Sequence, residues 1–169
     1  MESSIALSTS QYLTFKLDRE LFAVDIDKVR EVLEFTFVTK VPRTPTFMRG
    51  VINLRGNVVP VVDMRLKLGL SMTEKTVDTC VVIAEVAIDG EKMVLGALVD
   101  SVQEVIDLDS SNIAPPPHIG GRVDTTVIRG MGKRDDQFIM ILDLDRVFTA
   151  NELRAASVEL NGGASASSP

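Results

Sequence analysis

The sequence contains one cysteine, one histidine, one tyrosine and no tryptophan. A single Cys80 cannot close an internal disulfide, and a single His118 cannot supply the imidazoles of a His-rich metal site, so disulfide scaffolds and zinc fingers are both excluded. The scarcity of aromatics, at 5%, leaves little for stacking against single-stranded nucleic acid. Met1 is followed by Glu2 and not by a basic segment. No apolar run approaches the roughly 18 residues needed to span a bilayer. These features point to a soluble chain in a reducing cytoplasm. Basic residues are also in the minority, 18 against 24 acidic ones, for a net charge of -6 and a pI near 4.8. That balance disfavours a nucleic-acid backbone or an anionic membrane as the main partner, while leaving room for local basic patches.

Against these absences, hydrophobic residues make up 45% of the 169 positions and charged residues 25%, a globular composition. The length suits one domain, or two small halves sharing one core. Residues 1–10 and 154–169 are small, polar and without periodicity, so both are expected to be flexible tails around a single domain at 11–153. Val and Ile recur there in short blocks separated by Gly, Pro, Asn and Asp, the pattern of strands. Tyr12–Leu17 and Leu21–Ile26 read as two strands around an Asp18-Arg19-Glu20 turn. Cys80–Ile88 and Lys92–Val99 flank Asp89-Gly90, whose residues accept the positive φ angles of a type I′ hairpin turn. Helix signals are confined to short turns near Pro45–Met48 and Asp109–Asn112 and to a segment beginning at Asp143.

An internal repeat sharpens this picture. Val29-Arg30-Glu31-Val32-Leu33 is echoed by Val102-Gln103-Glu104-Val105-Ile106. In the same order, Arg49-Gly50 leads to Asp63 as Arg129-Gly130 leads to Asp143, with equal spacing. The expected fold is therefore all-β: a duplicated small β-barrel whose halves share a continuous apolar interface, with short helical turns.

No catalytic constellation emerges. Cys80 lies in an apolar strand block, where a buried thiol is inert, and His118 follows three prolines in a loop. Asp63 and Asp143 are related by the repeat, but Met64-Arg65 and Leu144-Asp145 after them are not the small, hydroxyl-bearing sequence of a proton-sharing carboxylate dyad. Both read as strand-end or capping groups. No cofactor and no metal are expected, because the carboxylates and the lone histidine lack the necessary spacing. Two features are less routine. Strand alternation puts Glu31 on the face of Val29 and Leu33, so either a bulge resets the phase or an edge strand presents apolar groups beside charges to a partner. Asn53-Leu54-Arg55-Gly56-Asn57 is a tight turn that either is simply solvated or offers a guanidinium for bidentate capture of a partner's carboxylate.

The run from Arg49 through Asn53-Leu54-Arg55-Gly56 to Val61-Val62-Asp63-Met64-Arg65 closely resembles the signature of the CheW coupling proteins of bacterial chemotaxis. Phe22–Ile26, Val29–Val32, Pro42, Pro45 and the block from Gly96 to Ile106 resemble that family too, so the likeness covers 11–148. It implies two five-stranded SH3-like barrels and a non-catalytic adaptor, monomeric when isolated. The implied partners are the cytoplasmic tip of methyl-accepting chemoreceptors and the regulatory domain of the chemotaxis histidine kinase. Such an adaptor reaches membrane-bound receptor arrays through protein contacts alone. By the same resemblance Val29, Glu31, Arg55 and Val102 are receptor-facing, and Asn57, Val58 and Val81 are kinase-facing. The stretch Gly120-Gly121-Arg122 and the turn Lys133–Asp136 depart from the family signature. The rival reading is a small β-barrel ligand-binding or enzyme domain with its site between the halves.

Overall fold

The computed structural model describes residues 9–116, 127–148 and 152. His118 and Gly120–Arg122 lie outside the described residues, as do 1–8 and 154–169 of the expected tails. Ser10, expected in the tail, is instead the first residue of a strand and pairs with Leu108.

Eleven strands are described: β1 (Ser10–Leu17), β2 (Glu20–Asp25), β3 (Val29–Glu34), β4 (Met48–Leu54), β5 (Asn57–Asp63), β6 (Cys80–Ile88), β7 (Glu91–Val99), β8 (Ser101–Leu108), β9 (Ile113–Ala114), β10 (Ile128–Arg134) and β11 (Gln137–Leu142). Short helical segments occupy Ile26–Lys28, Met64–Lys67, Ser110–Asn112 and Leu144–Val147. The β6–β7 hairpin turns through Asp89 at φ 51° and Gly90 at φ 80°, as the Asp-Gly pair requires.

The strands form two curled sheets, ordered β8-β1-β2-β11-β10-β9 and β3-β6-β7-β5-β4. Each sheet joins a central hairpin from one repeat to strands of the other: β1–β2 to β8, β9, β10 and β11, and β6–β7 to β3, β4 and β5. Consecutive residues do not build consecutive barrels: β3, β4 and β5 leave the company of β1 and β2 and pair around β6–β7. The first barrel, built on β1–β2, carries a sixth, two-residue strand, β9, beyond the five expected.

Alternation along the central hairpins explains why their sequences are apolar at nearly every position. On one face Tyr12 and Ala23 pack with Ile106, Leu108, Ile139 and Ile141 inside the first barrel. Val81, Ile83 and Leu98 pack with Phe35, Val59 and Val61 inside the other. The opposite faces of both hairpins meet in a third, larger cluster containing Leu13, Phe15, Leu17, Phe22 and Val24 from one sheet and Val82, Ala84, Val86, Leu95 and Val99 from the other. Each of the Val, Leu and Phe side chains contributes about 1.5–3 kcal/mol on burial, so most of the apolar stabilisation is held jointly by the two barrels.

Closure of each barrel explains the repeated Arg-Gly. Thr39 exchanges backbone hydrogen bonds with Val51, at 2.9 and 2.8 Å, and lies so close to β4 that a Cβ on Gly50 would stand 2.3 Å from the Thr39 carbonyl oxygen. At the equivalent place β9 pairs with Met131 and Gly132, and a Cβ on Gly130 would stand 2.7 Å from Ile113 Cγ2. The glycine is set by the approach of the closing segment.

Candidate partner-binding surface

The aspartates at the ends of β5 and β11 are capping groups, as the sequence suggests. Asp63 is fully buried; its carboxylate accepts from Leu66 N at 3.3 Å, Thr73 N at 2.9 Å, Thr73 Oγ1 at 2.7 Å and Arg49 Nη1 at 3.2 Å. Asp143 accepts from Asp145 N at 3.1 Å. The two aspartates cap separate helical turns.

The turn between β4 and β5 is a two-residue loop closed by the Leu54–Asn57 pair, with Arg55 at φ 51° and Gly56 at φ 89°. Asn53 Oδ1 accepts from Gly56 N at 2.8 Å and fixes its shape. β3 lies at the edge of its sheet and also carries a register shift between Val29 and Glu31, so the bulge and the edge occur together. Val29, Glu31 and Leu33 turn inward and Arg30, Val32 and Glu34 outward.

Because the sheet curls, its first strand meets the β4–β5 turn. The Arg55 guanidinium, 70% exposed, grips the Glu31 carboxylate, with Nη1 at 3.5 Å from Oε1 and Nη2 in the closer contact with Oε2. The hydrogen bond first, and then the opposite charge, raise the Arg55 pKa. Beside the pair, Arg30 Nη2 donates to Glu85 Oε2 at 2.7 Å. An open groove of about 490 Å³ runs over Arg30, Glu31, Arg55, Val58, Ile83 and Val94, a mixture of fixed charge and apolar wall.

Glu31 and Arg55 are thus in contact. Val29 and Val102 are half-buried against the cluster shared by the barrels, one from each sheet. Asn57 and Val58 are exposed, but they line the same groove as Arg55 and not a separate face. Val81 requires correction. It is 2% exposed and fills the interior of its barrel, where Cγ1 would stand 2.6 Å from a Cβ on Gly96. A side chain so enclosed cannot touch a partner.

The repeat reproduces this surface in the other barrel, a feature that sequence reasoning missed. Arg134 Nη1 on β10 donates to Glu104 Oε2 on β8 at 3.2 Å, in the place of Arg55 and Glu31. Among exposed apolar residues, Val105 stands where Val32 does and Phe138 where Val58 does. The β10–β11 turn also has two positive-φ residues, Asp135 and Asp136. The signal was present in the echo of Glu31 by Glu104. Among the described residues no group of three His, Cys, Asp or Glu side chains is arranged to hold a metal ion, and no helix is long and apolar enough to cross a membrane.

Comparison with known proteins agrees with the architecture. The CheW-like domain family matches residues 11–152. The chemotaxis protein CheW of Rhizobium meliloti is 34% identical over 86% of this chain and 92% of its own length. That of Thermotoga maritima is 31% identical over 84% and 89%. The crystal structure of the scaffolding protein CheW from Thermoanaerobacter tengcongensis superposes with a TM-score of 0.73, at 38% identity, covering 85% of this chain and 90% of that one. Fold and sequence agree on a chemotaxis scaffold, not an enzyme. The chain belongs to the CheW-like domain family.

Proposed function

We propose that the chain couples methyl-accepting chemoreceptors to the chemotaxis histidine kinase, holding the receptor tip and the kinase regulatory domain on one rigid body. The receptor contact comprises Glu31 and Arg55 together with Val29 and Val102, and the kinase contact begins at Asn57 and Val58. The observation that carries this reading is the Glu31–Arg55 pair, a fixed bidentate charge unit in an open groove with Val58 exposed beside it. Two partners held by one scaffold meet at high effective concentration, so each contact can be weak and reversible. Because the two contacts abut at one turn, occupation of one biases the packing of the other, which is a population shift and needs no chemistry.

Reconstitution tests the proposal. Kinase autophosphorylation is measured with a receptor signalling fragment, with and without this chain. Stimulation by receptor only when the chain is present supports the coupling role; equal stimulation without it, or none with it, removes that role.

A further inference from the structure

A second surface lies outside the Glu31–Arg55 groove. Between Glu34 and Asp63 the sequence has no acidic residue and four basic ones, Lys40, Arg43, Arg49 and Arg55, in a chain whose net charge is -6. Folding brings three of them to one groove of about 410 Å³, between the segment from Lys40 to Arg49 and the loop that carries Met72. Arg49 is neutralised there by Asp63 and also donates to the Thr73 carbonyl oxygen. Lys40 and Arg43 make no ion pair among the described residues, so the groove keeps its positive charge. Its walls are apolar in part: Val41, Pro45 and Met48 line it, and Met72 stands 56% exposed.

The placement of Arg43 is specific. It is the second central residue of the Pro42-Arg43 turn and is held at φ 62°, where glycine is the usual occupant. Thr44 Oγ1 donates to Val41 O at 2.9 Å across the same turn. A long cation is therefore fixed at the groove's lip in a backbone conformation that works against its own side chain.

We infer that this groove docks an extended acidic segment of a protein partner, whose carboxylates pair with Lys40 and Arg43 while an apolar side chain settles against Met48 and Met72. Charge complementarity selects the occupant: the groove offers cations without counter-ions, and a methionine wall adapts to varied apolar groups. The inference uses no residue of the Glu31–Arg55 groove and stands apart from the receptor and kinase reading.

Fluorescence anisotropy of the full chain with a fluorescein-labelled peptide of repeating Glu-Glu-Leu tests it. The expected result is saturable binding that weakens as salt rises. It should fall about tenfold or more in the Lys40→Glu, Arg43→Gly double variant. Arg43→Gly alone places glycine where glycine is favoured, so it should melt no lower than wild type and still bind more weakly. Arg55→Glu should leave peptide binding unchanged. Absence of saturable binding overturns the inference, as does equal binding by the double variant. Sedimentation with vesicles of equal parts phosphatidylcholine and phosphatidylserine, lost in the double variant while the peptide never binds, would assign the groove to a membrane and overturn it as well.

Discussion

The Arg55 guanidinium rests on the Glu31 carboxylate across the seam where β3 meets the β4–β5 turn. The cation that a partner would use is therefore already engaged in the free protein. A partner carboxylate must share Arg55 with Glu31 or displace it. The exchange costs little where the guanidinium is largely solvated, and it favours a partner that brings its own cation for Glu31.

Arg55→Glu is expected to weaken receptor binding by about 30-fold or more, because it replaces attraction by repulsion at a partly desolvated contact. The melting midpoint should move by only about 2 °C, since an exposed pair adds little to stability. The charge swap Glu31→Arg with Arg55→Glu refines the test. It should restore the midpoint but not the affinity. Recovery of both would reduce the pair to a brace for its own seam.

Val58→Asp is expected to reduce kinase binding with no change in the midpoint, as Val58 is 59% exposed. Since Val58 and Arg55 share one groove, the double variant should not lose kinase and receptor affinity additively. Titration of each partner against the single and double variants measures the coupling; strict additivity would argue for two separate faces.

Much of this surface was legible in the sequence, and the failures have physical causes. The β6–β7 hairpin follows from Asp89-Gly90, and the caps follow from Asp63 and Asp143 at strand ends. Val81 was misplaced because β6 is buried on both faces, so no polar alternation marks which side chains turn outward. The exchange of hairpins between repeats was hidden for another reason: a repeat says which strands are alike, not which strands pair. Arg134 was missed because position-by-position comparison sets Arg55 against Asp135, whereas the cation that reaches Glu104 sits one residue earlier.

The glycines should differ sharply in their tolerance of a methyl group. Gly50→Ala forces a Cβ to within 2.3 Å of the Thr39 carbonyl oxygen at φ 147°, against the backbone of Thr39 and Lys40. A loss of about 3 kcal/mol or more is expected. Gly56→Ala meets nothing within 4 Å and carries only the backbone penalty, about 1 kcal/mol. Denaturant midpoints of the two variants rank them, and equal losses would remove the closing contact as the reason for Gly50.

Asp63→Ala is expected to cost about 3–5 kcal/mol, because it removes the counter-charge of Arg49 and the acceptor of the buried Thr73 hydroxyl at once. Asp63→Asn keeps an acceptor for Thr73 and should lose less. Calorimetry should show one transition in both variants, since the damage lies beside the cluster that both barrels share.

The exchanged topology makes the most demanding prediction. A break after residue 77, in the loop where Val77 is 93% exposed, cuts no strand and leaves β1–β5 on one fragment and β6–β11 on the other. Neither fragment holds a complete sheet. The first supplies β1–β2 without the β8 and β11 strands that flank them, and β3, β4 and β5 without the β6–β7 hairpin between them. Each alone would expose hairpin faces that the intact chain buries on both sides, so each should lack a cooperative melt. Mixed, they should assemble one to one, because every missing strand is present on the other piece. The loss relative to the intact chain is then mainly the entropy of bringing two chains together, and it should shrink as fragment concentration rises. Circular dichroism melts of each fragment and of the mixture, with sedimentation of the mixture, decide the matter. A fragment that melts cooperatively as a monomer would mean that one barrel closes without its exchanged strands.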